Sequence, residues 1–79
     1  MSNKRKKNEV EFEYWEELPK GGRKYWFDVK GKHGGLARYI KTTDAEENTL
    51  TFVQEIYDSK ANLIWIHEKY PIDKGHQKP

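Results

Sequence analysis

The sequence predicts an all-β fold, a five-stranded antiparallel meander twisted strongly into an open sheet or partial barrel, with no long helix. Three observations carry this. Apolar and polar residues alternate with a period of two along most of the chain. Aromatic and β-branched residues, which suit a pleated backbone, dominate the apolar positions. Clusters of Gly, Pro, Asp and Asn interrupt the alternation at short intervals. Connections of about five residues leave only antiparallel neighbours, because a parallel return needs a crossover of roughly a dozen.

Each element has its own signal. Val10, Phe12, Tyr14 and Leu18 alternate with Glu11, Glu13, Trp15 and Glu17, which places the first strand over 10–18. Pro19-Lys20-Gly21-Gly22 ends it. From Arg23 to Lys30, Tyr25, Phe27 and Val29 face one way, and Lys24, Trp26, Asp28 and Lys30 the other. After Gly31-Lys32-His33-Gly34-Gly35 comes a third strand, Leu36 to Thr43, with Leu36 and Ile40 opposite Ala37 and Tyr39. Asp44 and Glu47 have the spacing of a helix-capping box. Thr49, Thr51, Phe52, Val53 and Ile56 are poor helix formers, so Asp44 to Asn48 is read as a loop and Thr49 to Tyr57 as the fourth strand. Asp58-Ser59-Lys60-Ala61-Asn62 is a tight turn whose Asp and Asn can bond their own backbone. Leu63 to Tyr70 is the fifth strand. Its run Leu63-Ile64-Trp65-Ile66 does not alternate, as in strands covered on both faces. Curling of the sheet, the tail or a partner chain must supply the second cover.

The 79 residues fit one small domain, which buries only roughly 60% of the surface that its unfolded chain exposes. Residues 1–8 are expected to be a disordered basic arm, 9–70 the β domain, and 71–79 a tail able to pack on the sheet. There is no Cys, so neither disulfides nor thiolate zinc sites are available. No stretch has the 18 to 20 or so apolar residues of a membrane span, and the basic start lacks the apolar segment of a signal peptide. A cytoplasmic location without a membrane partner is expected.

The net charge of +2 is sorted along the chain. Lys4, Arg5, Lys6 and Lys7 are basic, and residues 9–19 hold five Glu and no base. Residues 20–41 carry seven cations against Asp28, and residues 42–68 six carboxylates against Lys60. The basic middle therefore has acidic flanks. Within it Lys24, Trp26 and Lys30 share a strand face, with Lys32 and Arg38 nearby. Cations for phosphates and rings for bases are the two parts of a surface for RNA or single-stranded DNA. The competing reading is a solvated face whose Lys and Arg pair with the Glu-rich first strand.

The closing stretch, Trp65 to Gln77, holds His67 and His76 with Glu68, Tyr70 and Asp73. If the tail folds back, His67, His76, Tyr70 and Asp73 become weak candidates for acid–base cleavage of RNA, with Lys69, Lys74 or Arg38 beside the phosphate. The same His67, Asp73 and His76 match no compact metal-ligand spacing, so no metal is expected. Nothing calls for a cofactor. No Ser or Cys nucleophile signature is present, and no glycine-rich phosphate loop precedes a helix.

The strings Gly22-Arg23-Lys24-Tyr25-Trp26, Arg38-Tyr39, Gln54-Glu55-Ile56-Tyr57-Asp58 and His67-Glu68-Lys69-Tyr70-Pro71-Ile72-Asp73-Lys74-Gly75-His76-Gln77 together resemble a family of short prokaryotic proteins of unknown function. The likeness spans residues 10–78 and implies no activity. A looser likeness, in size and in the His-containing end, is to small toxin–antitoxin proteins. The turn from Tyr57 to Leu63 resembles the hairpin units of repeat proteins. The expected function is a noncatalytic binding module for nucleic acid. A protein-interaction module or homodimer is the second reading, and a small ribonuclease using His67 and His76 the third.

Overall fold

A computed structural model describes residues 3–79, the side chain of Lys32 excepted. One six-stranded antiparallel sheet forms the body, with the strands side by side in chain order. They are β1 (Tyr14–Glu17), β2 (Arg23–Lys30), β3 (Leu36–Thr43), β4 (Thr49–Tyr57), β5 (Leu63–Tyr70) and β6 (His76–Gln77), preceded by a helix, α1 (Asn3–Glu11). The sheet is open, since β1 and β6 are its two edges. The expected all-β meander is therefore present, with one strand more than the sequence pattern indicated.

The extra strand comes from the tail. Residues 71–75 turn back, and β6 pairs with β5 through Ile66↔Gln77 and His67↔His76. The Lys74 amide adds a bond to the Glu68 carbonyl at 2.9 Å.

The start of the chain differs most from expectation. The basic segment is helical from Asn3 onward rather than a disordered arm, and β1 begins at Tyr14 rather than Val10. Met1 and Ser2 of that arm lie outside the described residues. Lys, Arg and Glu are good helix formers, yet a nine-residue helix is marginal without tertiary support. The support is specific. Arg23 Nη1 donates to Glu9 Oε2 at 2.6 Å, and Arg23 Nε donates to Glu17 Oε1 at 2.9 Å, joining α1, β2 and β1. The Glu9 carboxylate holds the Arg23 guanidinium charged against the cost of its burial. Phe12 then packs on Tyr25 and Phe27, with ring centroids 5.8 and 5.4 Å away. Val10, expected on a strand face, is instead 82% exposed on the helix. An alternating Glu pattern fits a strand and a charged helix equally well. The Arg23 clamp decides between them.

The loops β3–β4 and β4–β5 use one device. In each, an Asp side chain accepts amide bonds from the residues two and four positions on: Asp44 from Glu46 and Asn48, Asp58 from Lys60 and Asn62. The fourth residue of each loop, Glu47 or Ala61, takes a left-handed φ of 66°. The turn expected at Asp58–Asn62 thus has a twin at Asp44–Asn48, where a helix was the competitor. Between β1 and β2, a Cβ on Gly22 would lie 2.3 Å from the Thr43 carbonyl oxygen, so only glycine fits there.

Opposed residues in an antiparallel sheet share a face. One face carries Tyr25, Phe27 and Val29 of β2, Lys41, Tyr39 and Ala37 of β3, Phe52, Gln54 and Ile56 of β4, and Trp65 and His67 of β5. The contacts of Phe12 put α1 on this face, near its Arg23–Thr43 end. The other, outer face carries Lys24, Trp26, Asp28 and Lys30, then Ile40 and Arg38, Val53 and Glu55, and Ile66 and Glu68. The fully packed centre is small: Phe12 and Tyr25 are its buried apolar residues. Each contributes roughly 1.5–3 kcal/mol by burial.

Candidate functional site

The expected nucleic-acid residues Lys24, Trp26, Lys30 and Arg38 all lie on the outer face. Lys24 Nζ sits 5.7 Å from the Trp26 ring centroid, and Trp26 stacks on Tyr14 at 5.8 Å. Their cations meet carboxylates. Arg38 grips Asp28 with both arms, Nε to Oδ1 at 2.7 Å and Nη2 to Oδ2 at 3.1 Å, which holds the guanidinium firmly charged. Lys24 stands opposite Glu16, and Arg38 opposite Glu55. Glu68 lies on the same face and pairs with Lys74 at 3.2 Å. The Lys32 side chain lies outside the described residues. This face is one of mixed charge.

A different cluster lies on the helix-bearing face. Between α1 and the sheet runs a groove of about 980 Å³. Phe12, Phe27, Phe52 and Tyr70 line it, with Lys4 and Lys7 from the helix and Lys41 from β3. The rings continue across the sheet: Phe27 stacks on Tyr39 at 5.0 Å, and Tyr39 on Phe52 at 6.2 Å. Lysines cap this row, with Lys41 Nζ 5.3 Å from the Phe12 centroid and Lys69 Nζ 5.4 Å from that of Tyr39. Lys41 donates to Asn8 Oδ1 at 3.0 Å and Lys4 to Asn48 Oδ1 at 2.8 Å.

Two carboxylates, Glu11 and Glu47, also border the groove. Glu47 is buried and its charge is met from within the protein. It accepts bonds from the Tyr25 hydroxyl and from Asn8 Nδ2, and Arg5 Nε lies 3.6 Å away. Burial, reinforced by Glu47, pushes the Tyr25 hydroxyl pKa up.

Sequence reasoning missed this groove for two reasons. Part of it, Lys4, Lys7, Asn8 and Glu11, comes from α1, where the sequence pattern indicates an arm and the start of a strand. Another part depends on a β-bulge: Val53 pairs with Glu68 but Phe52 pairs with Tyr70, leaving Lys69 as the extra residue. The bulge brings Tyr70 into the groove, although strict alternation would put it on the opposite face from Lys69.

The tail histidines do converge. His67 Nε2 donates to Asp73 Oδ1 at 2.6 Å, and the His67 and His76 ring centroids are 4.6 Å apart. The Gly75 amide also bonds Asp73 Oδ1, at 2.9 Å. That amide, followed by His67, holds the Asp73 carboxyl below the usual carboxylate range. Within it His67 is largely covered and engaged. Nε2 of His67 is taken by Asp73, and Nδ1 is buried with no partner. A general base needs a nitrogen within reach of a substrate proton. His76 is exposed, and Tyr70 points away to the groove. Among the described residues no group of three or more His, Cys, Asp or Glu is arranged to hold a metal ion. No helix among them is long and apolar enough to cross a membrane.

Compared with family models, curated proteins and solved structures, the chain gives no match.

Proposed function

We propose that this protein is a noncatalytic binding module that takes single-stranded nucleic acid in the groove between α1 and the sheet. One observation carries the reading: a row of partly exposed rings on the helix-bearing face, Phe27, Tyr39 and Phe52, continued by the buried Phe12, with Lys41 over Phe12 and Lys69 over Tyr39. Stacking on aromatic rings accepts any base, and lysines along the rim meet the phosphates. The basic hairpin remains the scaffold of the site, but its inward rings are better suited than its outward lysines. On the outer face Arg38 is spent on Asp28, and Glu16, Glu55 and Glu68 offset the remaining cations. The engagement of His67 Nε2 by Asp73 supports binding without cleavage.

Fluorescence titration of a labelled single-stranded oligonucleotide, at low and at physiological salt, tests this. Tyr70 is 47% exposed at the groove, so Tyr70→Ala leaves the fold intact. Loss of one stacked base weakens binding about 5- to 150-fold. Lys69→Ala reduces the slope of log affinity against log salt by about one phosphate. Trp26→Ala, on the outer face, leaves affinity unchanged. Absence of binding at low salt, or loss with Trp26→Ala and not with Tyr70→Ala, overturns the proposal.

A further inference from the structure

The second strand has a free edge. β2 runs from Arg23 to Lys30, but β1 pairs only with Arg23, Lys24, Tyr25 and Trp26. Before Tyr14 the chain leaves the edge, and Phe12 packs on the helix-bearing face. The phase of the hydrogen bonds identifies the backbone groups left over. The Gly31 amide donates to the Gly35 carbonyl, on the β3 side, and the Gly22 carbonyl accepts from the Leu18 amide, on the β1 side. Backbone groups alternate sides along an antiparallel strand, so those of Asp28 and Lys30 point to the β1 side, beyond the reach of β1. Among the described residues no backbone partner meets them. Val29 between them is 47% exposed, and Lys30 and Gly31 are exposed as well. Such a row of free amides and carbonyls is a template for another extended strand.

The side chains select which strand. Charges on an edge ordinarily repel foreign strands. Here Asp28 and Lys30 lie two positions apart on the outer face with opposite signs. Two copies of this edge can pair antiparallel in registers centred on Asp28, Val29 or Lys30, because outward-pointing groups must oppose one another. A centre at Asp28 sets two carboxylates together and calls on Trp26, which is already paired with Tyr14. A centre at Lys30 sets two ammonium groups together. A centre at Val29 sets Asp28 against Lys30 of the partner subunit and Lys30 against the partner's Asp28. Asp28 already accepts two bonds from Arg38, and a carboxylate has about four acceptor positions, so it can also take the ammonium. Among the described residues Lys30 has no hydrogen-bond or ion-pair partner of its own.

We propose that two copies of the chain join edge to edge through the free end of β2, antiparallel, with Val29 on the two-fold axis. Each Asp28 and the Lys30 opposite it exchange a pair of backbone hydrogen bonds and an ion pair. The two six-stranded sheets run into one. The contact uses the same patch on both subunits, so it closes at a dimer and does not grow into a filament. It stops where the chain turns off at Gly31 and where β1 covers the edge at Trp26. The inference does not rest on the nucleic-acid reading, because it uses the backbone and outer charges of β2 rather than the groove.

Disulfide trapping reads the register directly, since the chain has no Cys. Directly opposed residues in a non-hydrogen-bonded antiparallel pair have Cα atoms about 4.5 Å apart, within disulfide reach. Val29→Cys therefore gives a covalent dimer under mild oxidation. Lys30→Cys does not, because diagonal neighbours stand about 7–8 Å apart. Sedimentation equilibrium up to millimolar concentration supplies the second readout. The wild-type chain and Lys30→Arg dimerise. Lys30→Glu, at an exposed position, sediments as a monomer with retained far-UV circular dichroism, because carboxylates then face each other across the edge. A wild-type monomer throughout, a Lys30→Glu chain that still dimerises, or faster cross-linking of Lys30→Cys than of Val29→Cys overturns the proposal. Dimerisation without oligonucleotide binding would leave this inference standing and refute the other.

Discussion

Tyr25 has no exposed surface, and its hydroxyl lies between the Arg23 guanidinium and the Glu47 carboxylate. Its ring contacts Phe12 and Trp15, so one residue joins the helical segment, the first strand and the loop after β3. Removing an aromatic side chain from such a site costs about 3–5 kcal/mol. A domain of this size has a total stability of about 4–12 kcal/mol. Tyr25→Ala is therefore expected to lower the urea midpoint severely or unfold the protein. Val10→Ala, at a position 82% exposed, should change stability by no more than about 0.5 kcal/mol. Chemical denaturation of the two variants separates the helical packing of the N-terminal segment from the strand that alternation suggested. A large loss from Val10→Ala would restore the strand.

At the scale of elements, the tail and the helix are the two additions to a meander that the sequence already showed. Turn residues and period-two alternation located β2 through β5 correctly, and showed which residues share a face in β2 and β3; in β5 the bulge at Lys69 breaks the alternation and moves Tyr70 to the other face. They located them because those signals are local: a Gly or Asp that needs a special backbone acts within its own loop. The helix depends on distant partners, Arg23 and Glu47, and those pairings leave no trace in nearby residues. β6 needs His67 to hold Asp73, a fold-back that the residues of the closing stretch allow but do not require. The same dependence gives β6 a pH limit. The folded-state pKa of Asp73 is depressed, so its contribution to docking is fully present above the unfolded value of about 3.9 and fades as pH falls through the folded value. Amide exchange should show Lys74 and Gly75 losing protection below about pH 4, before the amides of β2 and β3. Asp73→Ala should release them at neutral pH. Protection of the tail that persists in Asp73→Ala would mean that the strand pairing alone holds it.

The whole molecule is an open sheet with one end of one face covered by α1. Its partly covered state explains why the core is small and why apolar residues stay exposed. The groove by α1 combines rings and lysines, and the far row of Val29, Ala37, Ile56 and Trp65 is purely apolar. Charge sorting in the sequence singled out the β2–β3 hairpin and its outward side chains. Cations are counted from composition, whereas their carboxylate partners, such as Asp28 for Arg38, appear only once strands are in register. Chemical-shift mapping of the labelled protein with a short single-stranded oligonucleotide tests the central claim most directly. The account predicts perturbed resonances at Lys41, Phe52, Lys69 and Tyr70, around the groove. Shifts confined to Lys24, Trp26 and Lys30, or no shifts at low salt, would contradict it.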